Sequence, residues 1–289
     1  MDNNLLKELV LQRLKQIRID PILGQHFLVD QSVLNLLVKN VTTGNVVIEV
    51  GSGVGQMTEA LSEKASKVIA IEIDKKFRPI LNEISNNHRN IEVIYENTLS
   101  LDWKALIRKY RDKAKIQIVS NLPYHISEPF LHKIAGLGIQ DAVLLVGKKL
   151  GFVVQAQSGD DPNFGLRSLL VQTFFKIGLL APVAKQSFLP IPRTDALLVK
   201  LTPRSVEEIK ANKHDFIFRR LFLTSRHSPL VKNCIKEALI ELDNKTLTQN
   251  QAKEIISSLD LPETVLNKPF EQLRNKDLRL ISGSLHLIR

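Results

Sequence analysis

The 289-residue sequence contains one cysteine, one tryptophan and no long apolar run. A single thiol, Cys234, excludes an internal disulfide and a cysteine-rich zinc site, and it favours a reducing compartment such as the cytoplasm. The longest uninterrupted apolar stretches, such as residues 142–146, are far shorter than the roughly 18 residues that a membrane span requires. We therefore expect neither a disulfide-stabilised secreted protein nor a membrane-spanning one.

The N-terminus shows no secretion or organelle signal. It carries Asp2 and Glu8, and no small-residue cleavage site follows an apolar core. The pattern predicts an amphipathic helix within an N-terminal helical arm, residues 1–40, and a cytoplasmic protein.

Acidic residues are the minority among the charged ones. The chain has 40 Lys and Arg against 30 Asp and Glu, a formal net charge of +10. This excess favours a polyanionic partner, because each phosphate contact releases condensed counterions. Nucleic acid is the favoured partner class, although charge alone does not separate it from the composition of a generally basic proteome.

Short β-branched runs alternate with helix-like segments between residues 45 and 148. The alternation predicts an α/β fold, a Rossmann-like parallel sheet with helices on both faces, and the apolar strands fit a sheet that is buried on both sides. The predicted strands are Val46 to Val50, Lys67 to Ile73, Ile91 to Tyr95, Ile116 to Val119 and Ala142 to Val146.

The pattern changes in the last third of the chain. A helical pattern at Ser168 to Ile177 precedes a strand at Asp195 to Leu201, and two prolines before that strand suit a loop entering an edge or antiparallel strand. From about Val206 only helical patterns follow. We place a boundary near Arg204, so that residues 1–204 form a catalytic domain and residues 205–289 a small all-α domain.

A glycine-rich turn, residues 51–55, follows the first predicted strand. Gly51 and Gly53 let the backbone pass where any Cβ would clash with a ligand. A dinucleotide site would have a glycine three residues after the second one, but residue 56 is Gln, so the spacing leans away from NAD. Tight strand-to-helix packing is the alternative explanation of the turn.

Polar residues end the next two strands. Glu72 lies about 20 residues beyond Gly51, where a carboxylate can accept hydrogen bonds from both ribose hydroxyls, although Asp74 competes for that role. Asn97 ends the third strand, where its amide can hydrogen-bond an adenine or simply form a turn. Together with the glycine turn, these residues favour an adenosyl ligand.

The fourth predicted strand ends in Asn121-Leu122-Pro123-Tyr124, at the edge where open α/β sheets bind ligands. An aromatic amine is a poor nucleophile because its lone pair is delocalised into the ring. Hydrogen bonds from its N–H groups to Asn121 and to the carbonyl of Leu122 would localise that pair. Pro123 stiffens the loop, and Tyr124 offers a face for an extracted base. Methyl transfer from a sulfonium then needs neither a metal nor a covalent intermediate.

With these residues the sequence resembles the ribosomal RNA adenine dimethyltransferase family, most closely its small-subunit branch. The resemblance runs from about Leu23 to Asn233 and includes residues 24–28, 68–74 and 188–195. It implies S-adenosyl-L-methionine as the cofactor and Asn121 to Tyr124 as the catalytic loop, with Tyr124 and Phe188 as walls of the target pocket. The implied cofactor contacts are His26, Leu28, Gly51, Gly53, Glu72, Asn97 and Asn121.

The resemblance also implies the reaction: two methyl groups are added to each of two adjacent adenines in a hairpin near the 3′ end of 16S-type RNA. The partner would be a partly assembled 30S-type particle, bound by a monomer through residues 205–289. Residues 204–236 hold eight basic and three acidic side chains, although a solvated charged helix face would look similar. The candidate RNA contacts are Arg219, Arg220, Arg226 and Lys232.

The sequence departs from the family pattern near the predicted active face. Asn97 replaces a usual Asp, Gly147-Lys148-Lys149 replaces Gln-Lys-Glu, and residues 226–231 replace a basic run. Two alternatives stay open: a large-subunit adenine methyltransferase of the resistance type, and a non-catalytic ribosome-assembly or nucleic-acid-binding factor. Residues 24–28 and Leu122 favour the small-subunit branch.

Overall fold

The computed structural model describes residues 3–156, 161, 163–224, 229–243 and 246–285. These residues divide into two compact units. The first comprises the residues up to Gly151 together with Ile177–Pro203, and the second comprises Phe152–Lys176 together with the residues from Arg204 onward. The domain boundary near Arg204 stays a prediction, and Phe152–Lys176 groups with the later helices.

The first unit is built on a seven-stranded sheet in the order β4-β3-β2-β5-β6-β9-β7, and β1 and β8 form a separate two-stranded sheet. The strands from β4 to β6 pair in parallel, whereas β9 is antiparallel to β6. The strands are β1 (Phe27–Leu28), β2 (Val46–Val50), β3 (Lys67–Ile71), β4 (Ile91–Ile94), β5 (Ile116–Asn121), β6 (Asp141–Gly147), β7 (Phe175–Val183), β8 (Phe188–Leu189) and β9 (Ala196–Pro203).

Helices connect the parallel strands and make up the C-terminal region. Asp30 and Asp102 cap two of them by accepting hydrogen bonds from backbone N–H groups of the first turn. Within the described residues, no helix has the length and apolarity needed to span a membrane. The helices are α1 (Asn3–Leu14), α2 (Gln31–Lys39), α3 (Gln56–Ser62), α4 (Arg78–Asn87), α5 (Trp103–Tyr110), α6 (Ser127–Ile134), α7 (Lys148–Gln155), α8 (Leu166–Phe174), α9 (Val206–Lys210), α10 (Lys213–Thr224), α11 (Val231–Leu242), α12 (Gln249–Ser257), α13 (Glu263–Leu266) and α14 (Asn275–Leu285).

The predicted α/β class and the helical C-terminal region are confirmed, with one correction to the end of a helix. The sheet is mixed: the strand predicted at Asp195 to Leu201 is β9 and runs antiparallel to β6, one of the two arrangements that the prolines before it suit. The helix predicted over Ser168 to Ile177 ends at Phe174, and Phe175 begins β7. Helical spacing of apolar residues continues past Phe174, but pairing within the sheet decides the conformation there.

The second unit has an aromatic core of its own. The ring of Phe222 lies 6.1 Å from that of Phe174, 6.4 Å from that of Phe218 and 5.2 Å from that of Phe270, measured between centroids. Two of these contacts are edge-to-face, an arrangement that aromatic pairs favour. The rings therefore join α8, α10 and the turn before α14.

The strand order of the main sheet reverses between β2 and β5, since β3 and β4 lie on one side of β2 and β6 lies beyond β5. Ligands of open α/β sheets bind at such a reversal, outside the carboxyl ends of the strands. The hydroxyl of Ser120, near the end of β5, donates a 2.6 Å hydrogen bond to the carbonyl of Val50 at the end of β2. This bond holds the two central strand ends together.

Candidate active site

A cavity lies at the carboxyl ends of the central strands, within the first unit. Its walls come from the glycine turn, from the polar ends of β3 to β5, and from the segment that leads into β1. The predicted cofactor, catalytic and target residues that line it are His26, Gly51, Gly53, Glu72, Asn97, Asn121, Leu122, Pro123, Tyr124 and Phe188.

Leu28 is the predicted cofactor residue that the cavity lining leaves out. Its side chain is fully buried in the apolar core, whereas Phe27, the preceding residue of β1, lines the cavity. Successive side chains of a strand point to opposite sides, so only one of the two can face a ligand. The contact between Leu28 and the cofactor stays a prediction, and the burial of the side chain leaves the backbone of Leu28 as the part that can meet a ligand.

Glycine is required in the turn for two different reasons, close packing and backbone conformation. All three have positive φ, +75° at Gly51, +54° at Gly53 and +79° at Gly55. A Cβ at Gly53 would lie 2.8 Å from the ring of Phe27, so packing requires that glycine. A Cβ at Gly51 would come no closer than 3.8 Å to Pro123, so only the backbone conformation requires glycine there.

Glu72 is held at the end of β3 by two backbone N–H groups. Gly53 N–H donates to Oε2 at 2.7 Å, and Asp74 N–H donates to Oε1 at 2.8 Å. Burial raises the pKa of Glu72, while these donors act in the opposite direction. Asp74, the competing carboxylate, is outside the cavity lining and accepts from Gln25 and Lys76 instead. Of these two carboxylates, Glu72 is the one that lines the cavity.

Asn97 forms a turn and also lines the cavity. Its Oδ1 accepts a 2.9 Å hydrogen bond from the N–H of Leu99, which forms a turn, and the residue lines the cavity. The Nδ2 group is the part of this amide that can donate to a ligand. An aspartate at this position would offer a second oxygen acceptor in its place.

Asn121 ends β5 with its amide held in one orientation. Its Nδ2 donates a 2.6 Å hydrogen bond to the carbonyl oxygen of His26. Only the amide nitrogen can face a carbonyl oxygen, so Oδ1 is left as the acceptor. The adjacent Leu122 is anchored by its buried side chain and by its N–H, which donates to the carbonyl of Leu145 on β6 at 3.1 Å.

Tyr124 stands at the mouth of the cavity and is 39% exposed. Its ring packs on Gly147, where an added Cβ would lie 3.3 Å from two ring atoms. Its hydroxyl hydrogen-bonds to Thr194, and burial raises the pKa of this phenol above its ordinary value. The ring of His26 lies 6.3 Å away between centroids, and His26 Nδ1 is 2.7 Å from the carbonyl oxygen of Pro190. The ring of Tyr124 is thus positioned by its packing on Gly147 and by the hydrogen bond between its hydroxyl and Thr194.

Three buried side-chain oxygens in the cavity lining have no hydrogen-bond partner among the described residues. They are Ser52 Oγ, Gln56 Oε1 and Thr98 Oγ1. A buried polar atom without a partner costs about 1–3 kcal/mol, so a polar ligand suits this cavity better than an apolar one. Sequence reasoning missed all three residues, because no motif distinguishes a buried, unpaired oxygen from an ordinary one.

Gln25 is a further residue to which the sequence assigned no role. Its Nε2 donates to Asp74 Oδ2 at 2.9 Å, and its Oε1 accepts from the N–H of Asp20 at 2.9 Å. The segment at the cavity rim is thereby tied to the end of β3. Its signal lay in the family resemblance of residues 24–28.

The predicted RNA contacts lie in the second unit, and their side chains differ in ion pairing and in exposure to solvent. Arg220 on α10 pairs with Glu237 at 2.7 Å and with Glu241 at 3.2 Å, both on α11. These ion pairs raise the pKa of Arg220 and tie α10 to α11, while the contact of Arg220 with phosphate stays a prediction. Arg219 is partly exposed and Lys232 is exposed. Arg226 and residues 225–228 around it lie outside the described residues.

The strand order, the glycine turn and the carboxylate at the end of β3 define a Rossmann-like fold of the methyltransferase type. Solved structures that share this fold include the following two. A dimethyladenosine transferase from Plasmodium falciparum has a TM-score of 0.59 and 22% identity, covering 88% of this chain and 95% of that one. The 23S rRNA methyltransferase ErmE has a TM-score of 0.54 and 18% identity, covering 90% and 99%. At these identities the likeness shows the fold.

The family profile described as ribosomal RNA adenine dimethylase matches residues 17–264. The chain therefore belongs to the ribosomal RNA adenine dimethylase family. Its relatives include proteins named ribosomal RNA small subunit methyltransferase A. That of Alkaliphilus oremlandii is 32% identical over 68% of this chain and 69% of its own length. That of Halothermothrix orenii is 28% identical over 91% and 87%.

Membership in this family implies S-adenosyl-L-methionine, and the cavity has suitable groups for it. Glu72 would hold the ribose hydroxyls, and Asn97 would lie at the adenine. The unpaired oxygens of Gln56 and Thr98 would accept hydrogen bonds from polar groups of the cofactor. When bound, this cofactor supplies an electrophilic methyl group on its sulfonium.

Proposed function

We propose that the chain dimethylates the N6 positions of two adjacent adenines in a 3′-terminal hairpin of small-subunit, 16S-type ribosomal RNA during ribosome biogenesis. The observation that carries this proposal is the orientation of Asn121, whose amide nitrogen is held by the His26 carbonyl so that Oδ1 is left to accept. The names of the relatives, small subunit methyltransferases at 28–32% identity, support this RNA as the substrate.

Each residue of the catalytic loop would act differently on the adenine amino group. Asn121 Oδ1 and the carbonyl of Leu122 would accept hydrogen bonds from its two N–H groups and draw the nitrogen lone pair out of conjugation with the ring. Tyr124 would stack on the extracted base, and Phe188, buried in the cavity wall, would limit its position. Because the pKa of Tyr124 is raised, its hydroxyl stays neutral and remains bonded to Thr194.

The proposal extends to the partner and the location. We propose a partly assembled 30S-type particle as the substrate, a monomer as the active form and the cytoplasm as its compartment. Residues 205–289 would serve as the RNA-binding domain, with Lys232 and Arg219 as the contacts that their exposure supports. Such contacts make binding salt-dependent, because phosphates release counterions.

The test is transfer of labelled methyl groups from S-adenosylmethionine to small subunits that lack adenine dimethylation, followed by mass spectrometry of the RNA. The variant Asn121→Ala removes the acceptor, and Asn86→Ala, at an exposed position of α4, is the matched control. Dimethyladenosine is expected with the wild type and with Asn86→Ala, but not with Asn121→Ala.

Two other outcomes would replace this proposal with an alternative. Methylation of large subunits, with none of small subunits, would assign the chain to the resistance-type enzymes. Binding of S-adenosylhomocysteine without transfer to either subunit would favour a non-catalytic assembly factor.

A further inference from the structure

Two exposed basic residues lie beside the contacts that hold the ring of Tyr124. The ring packs on Gly147 at the end of β6, where an added Cβ would lie 3.3 Å from it. Lys149 follows two residues later, in the first turn of α7, with its side chain exposed. At the other contact the Tyr124 hydroxyl hydrogen-bonds to Thr194, which the exposed Arg193 directly precedes. A cation is therefore within two residues of each contact of the ring.

Lys148 lies between Gly147 and Lys149, but its charge is paired. Its backbone N–H donates to the carbonyl oxygen of Asp195 at 2.9 Å, and its Nζ lies 3.7 Å from Asp195 Oδ2. These contacts tie the start of α7 to the segment before β9 and fix the backbone from which the Lys149 side chain extends. Within the described part of the chain, neither Lys149 nor Arg193 has an acidic partner of this kind.

An exposed aromatic ring with basic side chains nearby is typical of surfaces that hold a single strand of nucleic acid. The ring stacks on a base, and the basic groups contact the backbone phosphates. In the proposed reaction the target adenine leaves its stack and lies on Tyr124, so the phosphates next to it pass close to the contacts of this ring. The glutamate that is usual in the family at position 149 would repel these phosphates, whereas Lys149 attracts them.

We infer that Lys149 and Arg193 are substrate-binding residues that hold the RNA phosphates on either side of the adenine stacked on Tyr124. This inference rests on the proposed function. It gives the first unit phosphate contacts of its own, in addition to those proposed for Arg219 and Lys232 in the second unit.

The experiment measures binding to small subunits that lack adenine dimethylation, at KCl concentrations from about 50 to 200 mM, so it needs no methyl transfer. Each phosphate contact contributes about one unit to the slope of log affinity against log salt concentration. Lys149→Gln and Arg193→Gln each remove a charge, and Lys149→Arg keeps it. Lys115→Gln is the matched control, because Lys115 is exposed directly before β5, at the edge of the sheet opposite the cavity.

For Lys149→Gln we expect the slope to fall by about one unit and the affinity at about 150 mM KCl to fall about fivefold. Arg193→Gln should have a similar effect, whereas Lys149→Arg and Lys115→Gln should keep the wild-type slope. In the methylation assay, KM for small subunits should rise by the same factor in Lys149→Gln, with kcat within about twofold of the wild type. The affinity of every variant for S-adenosylhomocysteine should match the wild type, which shows that the cavity is intact.

A wild-type slope in Lys149→Gln would overturn the inference, whatever the effect of Arg193→Gln. An equal loss of affinity in Lys115→Gln would also overturn it, because net charge rather than position beside the ring would then explain the binding. If the wild type neither binds small subunits nor methylates them, the proposed function itself fails. That result is distinct from the other two, in which the wild type binds.

Discussion

The substitution Glu49→Gln should remove a large pH dependence from the stability of the first unit. Glu49 lies in β2 with its side chain buried, and Thr58 Oγ1 donates to its Oε2 at 2.5 Å. Burial raises its pKa from 4.5 to about 8, against the opposing effect of this hydrogen bond. Glutamine has nearly the same shape as the protonated acid and does not titrate.

The direction in which stability changes with pH follows from where the Glu49 proton is bound. Between pH 4.5 and about 8 the folded state keeps the Glu49 proton, whereas the unfolded state has lost it. The free energy of unfolding is therefore highest below pH 4.5 and falls as pH rises, by up to about 1.4 kcal/mol per pH unit. Over the whole window the loss is at most about 5 kcal/mol. Glu72, whose pKa is also raised, adds to the same trend in both proteins.

The assay is urea unfolding at pH 5, 6, 7 and 8, followed by the fluorescence of Trp103. This is the only tryptophan of the chain, and it is buried in α5 of the first unit. The stability of Glu49→Gln relative to the wild type should rise steadily with pH, by about 1 kcal/mol per unit.

A matched control is Glu92→Gln. Burial alone would raise the pKa of Glu92, but hydrogen bonds from Lys67 and Tyr110 lower it to about 2. Its contribution is present above pH 4.5 and is lost only as the pH falls towards 2, outside the measured range. Parallel pH profiles for the wild type and Glu49→Gln would refute the reasoning, because they would show that Glu49 ionises alike in the folded and unfolded states.

Two further predictions concern the cavity. Asn97→Asp keeps the turn and adds an acceptor for the adenine amino group, so S-adenosylhomocysteine should bind about tenfold more tightly by calorimetry; equal or weaker binding would contradict this placement of adenine. Thr194→Val removes the partner of the Tyr124 hydroxyl, so kcat for RNA methylation should fall about threefold, with the affinity for S-adenosylhomocysteine unchanged. An unchanged kcat would show that Thr194 does not position the ring.

Much of the site was predictable because its signals are local. The glycine turn and the polar residues at strand ends follow directly from buried β-branched strands, so Gly51, Glu72 and Asn121 could be placed at one edge of the sheet. Parallel strands bring their carboxyl ends to the same edge, whatever their separation in sequence. The antiparallel course of β9 was one of two possibilities left by the prolines before it.

Other features depend on contacts that the sequence does not encode locally. The choice between Glu72 and Asp74, the ion pairs that occupy Arg220, and the inward direction of Leu28 each depend on a partner distant in the chain or on one side of a strand. In the sequence, Gln56 served only as an argument against a dinucleotide site, and its unpaired oxygen could not be foreseen.

The sequence by itself determined the fold class, the family and the edge of the sheet at which the site forms, because periodicity and turn chemistry are properties of neighbouring residues. Only the tertiary structure decided which polar atoms are paired. Burial and hydrogen-bond partners depend on the packing of distant segments, and they set both the raised pKa of Glu49 and the unpaired oxygen of Gln56.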